Sequence, residues 1–239
     1  MIPKNRKLLM LVISIITFTG YACSTDKEPG IERHIFNYDF NESLHGWDGG
    51  FADYPVNPVV DFQLAFEHAP IPDVGGKGLA IQGYNGSDDL FMYVKKQVEG
   101  LRPNTEYDIK FKIFFASKYS INAFGVGGSP GASVFLKAGA ARIEPLSVEG
   151  DFGGHHYYLM NIDKGDQSQG GPDMIVLGNI GIEQDDEVYR IEQRDNQEMP
   201  FRVKSDTEGK LWLIVGTDSG FESLTRLYYS KIEVQFESI

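Results

Sequence analysis

Tyr107-Asp108-Ile109-Lys110-Phe111-Lys112-Ile113-Phe114-Phe115 is the stretch whose reading decides the fold class. From Tyr107 to Ile113 its odd positions are apolar and its even positions charged. That period of two is what a strand shows when one sheet face is buried and the other is wet. Ile35-Phe36-Asn37-Tyr38-Asp39-Phe40 alternates in the same way, and Leu90-Phe91-Met92-Tyr93-Val94 more loosely. Further strands are predicted at 59–66, 78–84, 133–137, 157–162, 174–177, 188–193, 201–204, 211–215 and 227–236. Glycine and proline turns separate them: Gly75-Gly76, Asn85-Gly86, Gly127-Gly128-Ser129-Pro130-Gly131, Gly153-Gly154 and Gly170-Gly171-Pro172. Many short strands with such turns predict an all-β sandwich or barrel. No helical pattern exceeds two turns in this region, and no repeat or change of composition divides it. Residues 35–239 are expected to form a single β-sandwich domain.

The opening residues read differently. Lys4, Arg6 and Lys7 precede a mostly apolar run from Leu8 to Phe18, and Thr19-Gly20-Tyr21-Ala22-Cys23 follows. A basic segment, a short apolar segment and small residues are the marks of a secretory signal. The run is short for a bilayer span, which needs about 20 apolar residues; a short N-terminal anchor is the alternative. The segment resembles a bacterial lipobox, with Gly20 where that pattern usually has Leu. The resemblance implies that Cys23 becomes the first mature residue and carries the lipid. The expected organisation is a lipoprotein signal peptide at 1–22, a lipidated flexible tether at 23–34 and the sandwich beyond.

Cys23 is the only cysteine, so its use by lipid leaves a body without thiols or disulfides. Stability then has to come from burial, which 216 residues after Cys23 can supply. Loss of residues 1–22 removes three cations and no anions, taking the net charge from −12 to −15. So acidic a body repels nucleic-acid phosphates and anionic headgroups. Attachment to a membrane therefore falls to the lipid. Ser24 lacks the acidic inner-membrane retention signal of enteric bacteria, and Asp26-Lys27-Glu28 resembles export signals of some Bacteroidetes lipoproteins. The implied location is the bacterial outer membrane, on its periplasmic or cell-surface side.

Three phrases of the body resemble galactose-binding, jelly-roll carbohydrate-binding modules. They are Phe40-Asn41-Glu42-Ser43-Leu44-His45-Gly46-Trp47, Gly100-Leu101-Arg102-Pro103-Asn104-Thr105-Glu106-Tyr107, and Leu227-Tyr228-Tyr229-Ser230-Lys231-Ile232-Glu233-Val234. The resemblance implies a jelly-roll-like sandwich, and Ser230 stands near the place where those modules often have a calcium-ligating Asp, so one usual ligand is missing. Residues 83–97, 124–140, 161–178 and 211–222 resemble an uncharacterised family of secreted bacterial proteins, which implies relatives and no activity.

Several clusters could carry chemistry. Asp88-Asp89 beside Tyr84 and Asn85 pairs hydroxyl-accepting carboxylates with a ring, as sugar recognition requires, or forms an exposed Asn-Gly turn. Trp47 is a lid on the sandwich end or a stacking face, and Tyr54 is a further candidate contact. The loop from Asn161 to Gly171 offers Asp163 and Asp166 as hard oxygens for calcium, or is a self-bonded polar turn. Asp218 and Glu222 in Gly216-Thr217-Asp218-Ser219-Gly220-Phe221-Glu222 are candidate metal or ligand contacts. That loop lacks a Gly-x-Ser-x-Gly elbow, and sequence alone nominates no catalytic residue. Trp212 reads as core, and His155-His156 as a surface pair, since adjacent strand residues point to opposite faces. The leading expectation is non-catalytic recognition of a carbohydrate or similar extracellular ligand. A glycan hydrolase or lyase and a structural lipoprotein that docks another protein are the alternatives.

Overall fold

The computed structural model describes residues 30–239. The expected signal peptide, Cys23 and most of the tether lie outside the described residues. Among those described there is no helix. The strands run β1 (Arg33–Asp39), β2 (Asp48–Ala52), β3 (Tyr54–Pro55), β4 (Ala65–Pro70) and β5 (Lys77–Tyr84). They continue as β6 (Leu90–Val98), β7 (Glu106–Ser117), β8 (Val134–Ala141), β9 (Ser147–Phe152) and β10 (His155–Met160). The last five are β11 (Met174–Asn179), β12 (Arg190–Asp195), β13 (Phe201–Lys204), β14 (Leu211–Ser219) and β15 (Leu224–Ser238).

Two antiparallel sheets stack. The first has the order β12-β7-β15-β5-β4, with β1 also on β15 and β13 also on β7; the second is β11-β8-β14-β6-β2. The chain crosses between them at β1 to β2, β5 to β6, β6 to β7, β7 to β8, β11 to β12, β13 to β14 and β14 to β15, and passes from β2 to β4 through β3. That wrapping is jelly-roll-like. The alternation of β7 explains the stacking, because Tyr107, Ile109, Phe111, Ile113 and Phe115 are all fully buried. They meet Leu211, Leu213 and Val215 of β14 and Leu90, Met92 and Val94 of β6 in one core. Each large aliphatic or aromatic side chain buried there contributes roughly 1.5–3 kcal/mol.

β15 carries a bulge between Tyr229 and Lys231 in its pairing with β7. A one-residue irregularity exchanges the faces of every residue beyond it. Leu227 and Tyr229 point into the core before the bulge, and Ile232, Val234 and Phe236 after it.

The second sheet is buried on both faces. Phe91, Tyr93 and Ile214, which alternate with the core residues of β6 and β14, form a separate cluster with Ala52, Ala141, Ile162 and Met174. A small third sheet, β3-β10-β9, belongs to this side of the molecule. Double burial accounts for the loose alternation at 90–94 and the near-continuous apolar run at 211–215.

Three strands were not foreseen, and one is displaced. The chain does not become strand at residue 59: β4 begins at Ala65, after a turn in which Gln63 is left-handed (φ 49) and its amide donates to Asp61 Oδ1. β2, β3 and β9 lacked a readable signal. In β2 this is because Gly49 and Gly50 leave no apolar alternation to read. A side chain at Gly49 would lie 2.3 Å from the Phe66 ring, and one at Gly50 would lie 2.4 Å from the Tyr93 ring. Here the glycines let rings pack on a strand backbone.

Candidate functional site

β14 brings Asp218 to the outer face of the second sheet, and β8 brings Lys137 to the same face. Both side chains are fully buried. Lys137 Nζ donates to Asp218 Oδ2 at 2.7 Å, to the Gln169 carbonyl at 2.9 Å and to the Lys164 carbonyl at 3.1 Å. An ammonium has three protons, and here each has an acceptor. The same lysine thereby fastens the 161–173 loop over the sheet. Within that loop the Asp163 amide donates to Asp173 Oδ2, and the Gly165 amide donates to Asp163 Oδ1. Gly165 is left-handed (φ 71), and a side chain there would lie 2.3 Å from the Gln169 carbonyl.

The loop delivers Lys164 into a cluster of acids. Its Nζ lies 2.8 Å from Asp218 Oδ2, 2.9 Å from Asp53 Oδ2 and 5.1 Å from the centre of the Phe91 ring. Asp53, just after β2, has a left-handed backbone (φ 62). Asp89, just before β6, completes the set: one oxygen from each of Asp53, Asp89 and Asp218 lies within 4.8 Å of the others. Among the described residues no lysine or amide donates to Asp89 Oδ1 or Asp218 Oδ1, and the two side chains hydrogen-bond each other when Asp89 carries a proton.

Burial and charge divide the three acids. Burial pushes Asp89 up to about 8; Lys164 opposes this, while Asp218 and Asp53 reinforce it. Asp53 is also raised by burial, against the pull of Lys164. Burial acts on Asp218 in the same sense, but Lys164 and Lys137 outweigh it and hold the carboxyl below its ordinary value. Lys164 is raised, because Asp218, Asp53 and Asp89 outweigh its burial, whereas burial lowers Lys137 in spite of Asp218. At neutral pH the cluster therefore holds two ammonium groups, ionised Asp218 and a largely protonated Asp89.

Above this cluster is a cavity of about 590 Å³. Asp53, Ser87 and Asp89 form one part of its lining, and Phe152, Tyr157, Leu159 and Met160 form a ring-bearing wall. Residues 161–166 supply the rest, with Lys164, Asp163 and Asp166 among them. Phe152 is 65% exposed and meets Tyr157 edge to face, with ring centres 5.9 Å apart.

Of the proposed ligand contacts, Asp89 lines this cavity and four others do not. Trp47 is 3% exposed, with its ring edge-to-face to Tyr38 and Phe40, so it is core and presents no stacking face. Tyr54 packs on Phe62 and Tyr158. Tyr84 ends β5, its amide bonded to the Phe62 carbonyl, and Asp88 is exposed with its carbonyl accepting from Gln167 Nε2. Trp212 is half-buried beneath Lys95 Nζ, which lies 5.6 Å from its ring. His155 and His156 are exposed.

The structure does not gather Asp163, Asp166, Asp218 and Glu222 into one metal site. Asp163 and Asp166 line the cavity, Asp218 lies beneath it, and Glu222 follows β14 with its amide on the Val126 carbonyl. Among the described residues, the one group of acids close enough for a shared ion is Asp53, Asp89 and Asp218. Lys164 already stands between Asp53 and Asp218 and supplies the cation there. The donor set does not fit calcium, which takes six to eight oxygens and no ammonium group. Sequence reasoning missed Asp53, Lys137, Lys164, Phe152 and Tyr157.

The chain matches no protein-family model and no curated protein. Among solved structures it is similar to the mannan-recognising carbohydrate-binding module TmCBM27. Identity is 13%, 85% of this chain and 98% of that one are covered, and the TM-score is 0.37. It is also similar to TmCBM61, solved with β-1,4-galactotriose, at 11% identity, 82% and 92% coverage and a TM-score of 0.36. A third is the K1 cleaved adhesin domain of Lys-gingipain from Porphyromonas gingivalis W83, at 10% identity, 86% and 98% coverage and a TM-score of 0.32. The sandwich of this chain is defined by its own strand pairing and burial.

Proposed function

We propose that the cavity recognises a carbohydrate, without catalysis, on a protein held to the bacterial outer membrane by lipid on Cys23. One observation carries the recognition reading: the ring wall of Phe152 and Tyr157 shares a ligand-sized cavity with Asp53, Asp89 and Lys164. Small-molecule sites typically enclose about 300–1,000 Å³ and combine an apolar wall with a few placed polar groups. An aromatic face covers the C–H patch of a sugar, while carboxylates accept its hydroxyl hydrogens.

A glycan array probed with residues 24–239 tests this reading. Hits that Tyr157→Ala and Asp53→Asn each weaken are expected. No binding across plant, host and bacterial glycans would overturn it. For the anchor, mass spectrometry of the membrane-extracted protein should find diacylglycerol on Cys23, and Cys23→Ser should move the chain to the soluble fraction. An unmodified Cys23 in the membrane fraction would refute the anchor.

A second reading, glycan hydrolysis, is favoured by the raised pKa of Asp89, a property of general acids. Against it stands Asp53, the facing carboxylate, which is held by Lys164 at 2.9 Å and is not free as a nucleophile or base. Reducing ends released from an array-positive glycan, and lost in Asp89→Asn, would establish hydrolysis in place of simple recognition.

A further inference from the structure

We infer that the cavity is selective for an amino sugar, whose free ammonium group docks against Asp89. This rests on the carbohydrate reading of the same cavity and adds the ligand's charge to it. Three carboxylates face two ammonium groups beneath the cavity. Asp218 takes Lys137 at 2.7 Å and shares Lys164, which also holds Asp53 at 2.9 Å. Asp89 is the acid left over. No lysine or backbone amide donates to its buried Oδ1, and its side chain instead hydrogen-bonds Asp218, fully buried beneath it, through the proton that Asp89 holds. A ligand ammonium group that reaches Asp89 takes the place of that shared proton, so that three ionised carboxylates face three cations.

The rest of the lining favours the same charge. Asp163 and Asp166 stand on the loop side of the cavity, and its lysine is already engaged by two acids. The surrounding body has a net charge of −15 once residues 1–22 are removed. A uronate or sulfated sugar would meet repulsion from Asp53, Asp163 and Asp166. A neutral sugar would leave Asp89 protonated. An ammonium group gives Asp89 the counter-ion it lacks, and Phe152 and Tyr157 are placed to cover the sugar ring. The groups that face Asp89 and set its protonation are Asp53, Asp218 and Lys164, and the loop and β8 add Asp166 and Lys137 behind them. Because Asp89 is mostly protonated below about 8, docking of an ammonium group releases its proton to solvent.

Calorimetry on the full chain in detergent, at about pH 6, tests this with two sets of oligomers of equal length. One set is β-1,4-linked glucosamine and the other its N-acetylated form. The expected result is a preference for the free amine of about tenfold, the scale of one charge-assisted over one neutral hydrogen bond. Titration in two buffers of different ionisation enthalpy should show about one proton released with the amine set and none with the acetylated set. Asp89→Asn should bring the ratio of the two affinities close to one and abolish the proton release; a melting curve checks that this variant folds. Equal or tighter binding of acetylated or neutral oligomers, or binding of the amine set without proton release, would overturn the inference and leave carbohydrate recognition standing. Binding of no oligosaccharide of any kind would overturn both.

Discussion

At the scale of single residues, two charges in apolar strands organise the site. Lys137 interrupts Val134-Phe135-Leu136-Lys137-Ala138, and Asp218 ends the apolar run of β14. A lone charge inside a buried strand has to find a partner, so each predicts the other; the sequence reading ends the strand at 215 and places Asp218 in the following loop, whereas β14 runs to Ser219. Lys164, Asp53 and Asp89 could not be joined to the pair by the same reasoning, because 54 residues separate Lys164 from Asp218 and no periodicity links them. Removing one partner of a buried ion pair typically costs about 3–5 kcal/mol. Asp218→Ala should accordingly destabilise the protein by that order in urea unfolding, since it strands Lys137. Adding Lys137→Met should recover part of the loss. An additive double variant would contradict the pairing.

The protonation of Asp89 also leaves a mark on stability. Its folded pKa, about 8, lies above the ordinary aspartate value of 3.8. Between those values the folded state holds a proton that the unfolded chain has lost, so stability falls as pH rises through the window. Asp53 acts in the same direction and Asp218 in the opposite one, its contribution being lost as pH falls below the ordinary carboxylate range. Melting curves of the protein should therefore drop from about pH 5 to about pH 8 by more than those of Asp89→Asn. Parallel curves for the two would show that Asp89 is not buried as described.

At the scale of elements, the legible strands were those with one wet face. β7 was visible because Lys110 and Lys112 break its apolar residues into alternation. β6 and β14 were visible as apolar runs, yet their second buried face, on which the site is built, cannot be told from hydrophobicity alone. β9 and β10 carry Phe152 and Tyr157 to the cavity, but β9 is mostly exposed and offers no apolar pattern. β2 was hidden by its glycines. Gly50→Ala should cost roughly 1–3 kcal/mol by overpacking against Tyr93, and should shift the wall of the second sheet next to Asp53. A neutral change in melting temperature would refute that close packing.

At the scale of the whole molecule, residues 31–239 form one unit held by two stacked sheets and no disulfide. The jelly-roll-like sandwich was legible from strand and turn spacing because a body with no cysteine after Cys23 has to be stabilised by burial. The site was not. It is assembled from β2, the turn before β6, the β9–β10 hairpin, the 161–173 loop and β14, which only the fold brings together. Phe111→Ala, at the centre of the shared core, should destabilise the unit by about 3–5 kcal/mol in urea unfolding. The outer face of the first sheet carries a smaller depression of about 190 Å³, bordered by Lys110, Lys112, Gln193, Glu233 and Gln235.

Nuclear magnetic resonance of residues 24–239, titrated with a glycan that binds on the array, distinguishes the two faces directly. Shifts that saturate at Asp53, Asp89, Tyr157 and Lys164 are the predicted result. Shifts confined to Lys110, Lys112, Glu233 and Gln235, with the cavity resonances unmoved, would contradict the account.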